Sequence, residues 1–423
     1  MQSRSFRCLR FLLPTLLLLP STAAPASDWP QFRGPGGQGH SSAVGLPSTW
    51  SESANIRWKV AVPGSGWSSP ALQNNQIWLT SAVDGGKSLH AMAFDRTSGE
   101  LLHNVVVFQL EDPGPIHSKN SHASPTPILE GDRVYVNFGA HGTACLDTSG
   151  KVLWTNRELT YNHRHGPGGS PVLFEDLLIL NCDGSDIQFV VALEKSTGKV
   201  RWKTDRQHIS EDRRTGKSNV PMAYSTPLLA EIDGRIQLLS CGSDSLVSYN
   251  PKNGSENWWF RYDGYSNVPR PVLSQGMVFI SSGYDRPEFF AVRTAEAKDD
   301  ITQSHLAWNL KKAAPLNPSP LAVGSELYLV SDNGIVTCLD AVSGTQHWQE
   351  RLGGNFSASP TFADGLLWFL DENGKTTVLK PGTTFEQVAV NTLEGRTLAT
   401  PAFVDKSIYL RTDTHLYCIE RAE

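Results

Sequence analysis

The sequence predicts an all-β chain, an eight-bladed β-propeller of four-stranded antiparallel blades closed by its N-terminal strand. Three observations predict it. The first is an internal period: a Ser-Pro, Thr-Pro or Arg-Pro step opens a short apolar strand at Ser69-Pro70, Ser124-Pro125, Ser170-Pro171, Thr226-Pro227, Arg270-Pro271, Ser319-Pro320, Ser359-Pro360 and Thr400-Pro401. Self-similarity at roughly 40 to 50 residues, with several strands per unit, is the mark of propeller blades. The second is an aromatic placed four residues after a turn glycine, as in Gly150 to Trp154, Gly198 to Trp202, Gly254 to Trp258 and Gly344 to Trp348. The third is a half-blade at each end. The last unit supplies strands near 402–404, 407–410 and 416–419 and then stops, while Ile56-Arg57-Trp58-Lys59-Val60 has an outer-strand pattern with no unit before it. Joining the halves completes the ring and removes the open sheet edges that invite aggregation.

In chain order, Arg4, Arg7 and Arg10 precede the apolar run 11–19, broken by Pro14, and the small residues Ala24-Pro25-Ala26. That is the plan of a secretory signal peptide with cleavage after Ala26. The run falls short of the about 20 apolar residues of a membrane span, and Cys8 precedes it, whereas a lipid-bearing cysteine would follow. Residues 1–26 are thus read as leader, 27–55 as a lead-in segment and 56–423 as the propeller. In the lead-in, Trp29 and Phe32 are expected to anchor on the propeller surface and 34–39 to form an irregular link.

The third unit is the clearest: strands at 172–174, 177–181, 188–193 and 199–203. The continuous run Leu177-Leu178-Ile179-Leu180 suits a blade packed on both faces. In the turn Glu194-Lys195-Ser196-Thr197-Gly198 an acidic side chain can accept from turn N–H groups, and the glycine supplies positive φ. The tryptophan that follows buries a large ring against the next blade. His103 holds that place in the first unit and reads as a weaker docking residue. The fifth unit reaches Trp308 only after the polar insertion 294–305, read as a surface loop, and the seventh lacks the tryptophan.

The formal charge is -5, and loss of Arg4, Arg7 and Arg10 with the leader takes it to -8, which argues against a nucleic-acid partner. Cys145, Cys338 and Cys418 align with Ala93 and Ala192, so they fill a small buried slot. Cys182 and Cys241 fall on equivalent strands of neighbouring units, which leaves a disulfide between them open.

The stretch Ala192-Leu193-Glu194-Lys195-Ser196-Thr197-Gly198-Lys199-Val200-Arg201-Trp202 resembles the A-x-D-x-x-T-G-x-x-x-W docking motif of the pyrroloquinoline quinone (PQQ) repeat family; 147–154 and 340–348 are similar. The resemblance covers nearly all of 56–423 and implies the propeller fold. It implies two kinds of function, because the family holds PQQ-dependent alcohol dehydrogenases and cofactor-free proteins of the cell envelope. The adjacent cysteines usual in the dehydrogenases and a Cys-x-x-Cys-His haem site are both missing from the sequence, and nothing matches the calcium ligands or catalytic aspartate. The lead-in Asp28-Trp29-Pro30-Gln31-Phe32-Arg33-Gly34-Pro35 is similar to one in exported bacterial members without assigned activity.

In a propeller the loops entering the inner strands converge on one mouth of the central channel. That places Trp67, His122, Arg164, His165, Tyr224, Arg270 and Arg396 together as candidate ligand-binding residues, suited to an anionic or planar ligand. The alternative is that they fill and solvate the mouth. His163-Arg164-His165 would need a third ligand, such as His117 or His122, to hold a metal, and none is expected. Asp332-Asn333-Gly334 and Asp371-Glu372-Asn373-Gly374 read as hairpin turns rather than calcium loops. No catalytic residue is assigned. The expected function is that of an exported, periplasmic or secreted, monomeric and non-catalytic propeller acting as a binding or scaffold protein in the envelope, with an envelope protein or small molecule as partner, no transmembrane segment and no cofactor. The alternative is a PQQ-dependent or related small-molecule oxidoreductase, using PQQ with calcium at the channel mouth.

Overall fold

Each repeat becomes one twisted antiparallel sheet because its strand-length apolar runs are separated by turns with glycine or Asx residues at positive φ. The computed structural model describes residues 28–284 and 286–422, so the predicted leader lies outside the described residues. They form eight sheets arranged as the blades of a β-propeller. Blade 3 illustrates the pattern: Val172–Phe174, Leu177–Asp183, Gln188–Glu194 and Val200–Asp205, paired in that order. Blade 8 is completed as expected, with Ile56–Ala61 pairing antiparallel to His415–Glu420 and Trp58 opposite Cys418.

Blade-to-blade docking follows one rule. In five blades the indole N–H of the outer-strand tryptophan donates to a main-chain carbonyl in the 3–4 turn region of the next blade: Trp58 to Arg96, Trp154 to Lys195, Trp202 to Pro251, Trp308 to Ala341 and Trp348 to Gly382, at 2.8 to 3.2 Å. In four of the five the turn glycine lies under the ring, at Gly99, Gly198, Gly254 and Gly344; a Cβ added at Gly382, which accepts from Trp348, would meet nothing within 4 Å. At Gly198, with φ +72, an added Cβ would sit 2.4 Å from the Trp154 ring, so both conformation and space demand glycine. Directly across from the tryptophan stands a small residue, as in Cys145 against Trp154, Ala192 against Trp202 and Cys338 against Trp348. His103 occupies the docking place of blade 1 and packs by Gly150.

Blade 7, Thr361–Ala363 with Leu366–Leu370, Lys375–Leu379 and Gln387–Thr392, has Ala389 at the docking place. The lead-in replaces the missing ring. Trp50 stacks on Trp368 at 5.9 Å, and its main-chain N–H donates to Asn391 Oδ1, whose Nδ2 donates to Ser48 O.

Three expectations need correction, and one open alternative, the disulfide, is decided. The second unit opens at Thr126-Pro127, immediately before Ile128–Glu130, and not at Ser124-Pro125. The insertion 294–305 is no mere surface loop: Asp299–Asp300 adds a parallel strand to Glu256–Arg261 of blade 4, and Ile301 is buried there. Cys182 and Cys241 are free thiols. Both are buried, and the ion pair of Asp183 with Arg206 occupies the seam between their blades. Finally, the lead-in does not lie on the outer surface. Trp29 is buried, bridging to Leu72 of blade 1, and the segment runs through the channel to Ser41, which bonds Phe362 and Phe403 of blades 7 and 8.

Candidate functional site: a chamber in the central channel

The residue before each blade-opening proline builds a belt around the channel. Its N–H donates to the hydroxyl of the equivalent residue in the next blade: Ser69 to Thr126, Thr126 to Ser170, Ser170 to Thr226, Arg270 to Ser319, Ser319 to Ser359, Ser359 to Thr400 and Thr400 to Ser69, all at 2.9 to 3.1 Å. The recurring Ser or Thr is thus a ring closure, its hydroxyl accepting a buried main-chain N–H from the neighbouring blade. Arg270 has no hydroxyl to offer, so the belt opens between Thr226 and Arg270.

Above the belt lies a chamber of about 380 Å³ lined by these hydroxyl residues, by Trp67, His117, His165, Tyr224, Tyr265 and Tyr284, and by Lys119, Asn120 and Asn317. Its floor is Phe32 of the lead-in, held where Arg270 Nη1 donates to Phe32 O at 2.9 Å. Its roof is the segment 110–127, which joins blades 1 and 2 and crosses the mouth. On one side His117 N–H and Asn120 Nδ2 donate to His165 O. On the other, Lys119 pairs with Glu372 at 2.9 Å and lies 3.9 Å from Asp332, while Arg396 donates to Ser118 O. Each belt hydroxyl accepts an N–H from its neighbour and keeps its own O–H for donation into the chamber. Stacked His165 and Tyr224, 6.0 Å apart, and Trp67, with Arg396 5.6 Å over its ring, add planar surface. The chamber therefore presents donors and aromatic faces, a chemistry for binding acceptor-rich or planar groups.

Beside the chamber sits a histidine cluster. His141 lies 4.6 Å from His163 and 5.9 Å from His122. Burial, reinforced by the neighbouring imidazoles, holds His141 down at about 4 and His163 at about 3, and burial lowers His122 as well. His165 is also lowered, by burial first and then by His117 and Arg164. These rings are neutral near pH 7. Asp332 moves the other way, its carboxyl raised by burial despite bonds from Asn317 and the Leu316 N–H.

Of the sequence-predicted residues, Trp67, His165 and Tyr224 meet in the chamber, and Arg396 reaches its rim through Trp67. His122 turns into the histidine cluster. Arg164 is exposed beside His165. Arg270 is buried below Phe32 and faces the other end of the channel. Sequence reasoning missed Lys119, Tyr265, Tyr284 and Glu372. Tyr284 and Glu372 lie in the turns between second and third strands, which open on the same mouth as the pre-proline loops; that antiparallel geometry was the available signal. Asp371 behaves as a turn residue, accepting from the Asn373 and Lys375 N–H groups.

Among the described residues no group of three or more His, Cys, Asp or Glu could hold a metal ion, and Glu372 and Asp332 already hold the roof through Lys119.

Comparison with known proteins follows the same lines. The family model described as outer membrane protein assembly factor BamB matches residues 42–164, 121–341 and 300–421. Outer membrane protein assembly factor BamB of Yersinia pestis is 26% identical over 204 residues, 45% of this chain and 49% of that one, so the match spans about half the relative's length. The crystal structure of BamB from Moraxella catarrhalis superposes with a TM-score of 0.59 at 12% identity, covering 86% of this chain and 99% of that one. The computationally designed Ika8 protein superposes with a TM-score of 0.60 at 11% identity, over 85% and 98% of the two chains. At these identities the two structures speak for the fold alone.

Proposed function

Since the chain belongs to the family described as outer membrane protein assembly factor BamB, we propose that it is an exported, non-catalytic propeller that binds an envelope protein through its channel mouth. The leader motif supports export to the periplasm or beyond, and among the described residues no helix is long and apolar enough to cross a membrane. The observation that carries the reading is the chamber itself. Trp67, His165, Tyr224 and the seven belt hydroxyl residues converge on one cavity, floored by Phe32 and roofed by a segment tied across the mouth through Lys119 and Ser118. Such a mouth can admit a partner's acceptor-rich side chain or terminus when the roof lifts. Outer-membrane protein assembly, named for the relatives, is the process in which that partner is sought.

Affinity capture from an envelope fraction tests it, comparing the native sequence with a Trp67→Ala/Tyr224→Ala double variant of equal melting temperature. A partner recovered with the first and lost with the second is expected. A partner set indifferent to the double substitution overturns the reading.

A further inference from the structure

At the other end of the channel, between the lead-in and the inner strands of blades 2 to 4, lies a second cavity of about 200 Å³. Its walls are largely apolar, made by Leu129, Val172, Leu173 and Leu229, and Gln31, Glu130 and Arg270 also line it. Arg270 is 2% exposed and Arg33, its neighbour in the buried lead-in, is 0% exposed. Among the described residues their hydrogen bonds go to main-chain carbonyls alone: Arg270 Nη1 to Phe32 O, and Arg33 Nη2 to Pro320 O at 2.7 Å and to Gln38 O at 3.1 Å. Arg270 Nε and Arg33 Nε and Nη1 have no partner among those residues. Burial lowers both guanidiniums, each to about 9, with Arg270 also acting on Arg33, and no acid counters the effect.

A buried cation is ordinarily paired with an anion, and buried donors are ordinarily satisfied. Backbone carbonyls hold these two arginines in place yet leave the charge uncompensated. We propose that the cavity binds a carboxylate borne on a short apolar body, with the carboxylate on Arg270 and the aliphatic part against Leu129, Val172, Leu173 and Leu229. A carboxylate's two oxygens match the fork of a guanidinium edge. Phosphate would bring further oxygens that these apolar walls cannot serve. Glu130, the acid that lines the cavity, is engaged by Lys195. A free aliphatic acid and the C-terminus of a chain ending in an apolar residue share this chemistry.

Calorimetric titration of the mature protein tests the site, using hexanoate, the peptide acetyl-Gly-Gly-Leu with a free carboxylate, its C-terminal amide, and inorganic phosphate. Saturable binding of hexanoate or of the free-acid peptide is expected, with the amide and phosphate silent; which acid binds more tightly separates the two sources. Leu229→Trp, which fills the cavity while leaving both arginines unsubstituted, and Arg270→Gln should each weaken binding about tenfold or more, the scale of a lost charge-assisted bond. Trp67→Ala, in the other chamber, should leave it unchanged. If Arg270→Gln fails to fold, Leu229→Trp decides alone. No saturable binding of either acid overturns the proposal, as does equal binding of phosphate or binding indifferent to Leu229→Trp.

Discussion

The seam between blades 3 and 4 shows how much one buried side chain can carry. Arg206 meets Asp183 in a two-pronged pair, Nε to Oδ1 and Nη2 to Oδ2, with both side chains 1% exposed, and Nη2 also reaches Ser240 Oγ. Replacing Asp183 by Ala leaves a guanidinium buried without its counter-ion, a loss of about 3–5 kcal/mol by analogy with broken buried pairs. Urea unfolding of Asp183→Ala should show that drop, and a change under 1 kcal/mol would contradict it. The histidine cluster sets a second residue-scale expectation. The unfolded chain protonates His141 and His163 near the ordinary 6.5, the folded chain only near about 4 and about 3. Between these values the unfolded state binds more protons, so their contribution to stability is present above about 6.5 and is lost as pH falls through 4 toward 3. Asp112 opposes the depression of His141, and Arg157 adds to it. Unfolding free energy measured from pH 7 to pH 4 should fall less steeply in His163→Asn than in the native chain. None of this was legible in the sequence, where nothing singles out Asp183 or Arg206 and the histidines around His163 are not expected to hold a metal. The distinction depends on which strand end faces a seam, and only packing decides it.

The blades were far more legible, because the strand and turn signals are local and occur eight times. Both the docking tryptophan and the small residue opposite it could be read from spacing, and so could the half-blade closure. The failures have physical causes. Ser124-Pro125 and Thr126-Pro127 are two residues apart, so side chains alternate identically in either register; the Ser69 N–H bond to Thr126 Oγ1 and the Thr126 N–H bond to Ser170 Oγ select between them. The insertion 294–305 is polar enough to pass for a loop, and its added strand is held largely by its neighbour's edge. Blade 7 reads as deficient because its docking ring comes from Trp50, far away in sequence. Two substitutions measure this docking. Gly198→Ala drives a methyl to about 2.4 Å from Trp154 and forces positive φ on alanine, so it should destabilise by more than the usual about 1 kcal/mol of a Gly-to-Ala conflict. Trp50→Ala should cost about 3–5 kcal/mol, as large-to-small core substitutions do. If Trp50 is only a surface anchor, its loss will fall well below that of Trp202→Ala measured alongside.

At the scale of the molecule, a propeller is a ring of nearest-neighbour contacts, and in such arrays cooperativity depends on how well each unit is tied to the next. The channel lead-in adds ties that skip neighbours. Between Trp29 and Ser41 it bonds to Leu72 of blade 1, Leu129 of blade 2, Arg270 and Leu273 at blade 5, Pro320 and Ala322 at blade 6, and Phe362 and Phe403 of blades 7 and 8. The roof adds another such tie, since Arg396 and Ser118 meet although they are 278 positions apart. Without the lead-in the blades would communicate chiefly through seams of unequal strength. The pair Asp183 and Arg206 reinforces the seam of blades 3 and 4, whereas blade 1 meets blade 2 with His103 in place of a tryptophan. Deleting residues 28–41 while retaining Ile56–Ala61 should therefore do more than lower the melting temperature. The ring should unfold in two urea transitions, or in one with a visibly reduced slope, because arcs on either side of the weak seam lose their common strut. A single transition with the native slope, shifted only in midpoint, would mean that the seams alone make the ring cooperative and that the lead-in serves the two cavities it divides.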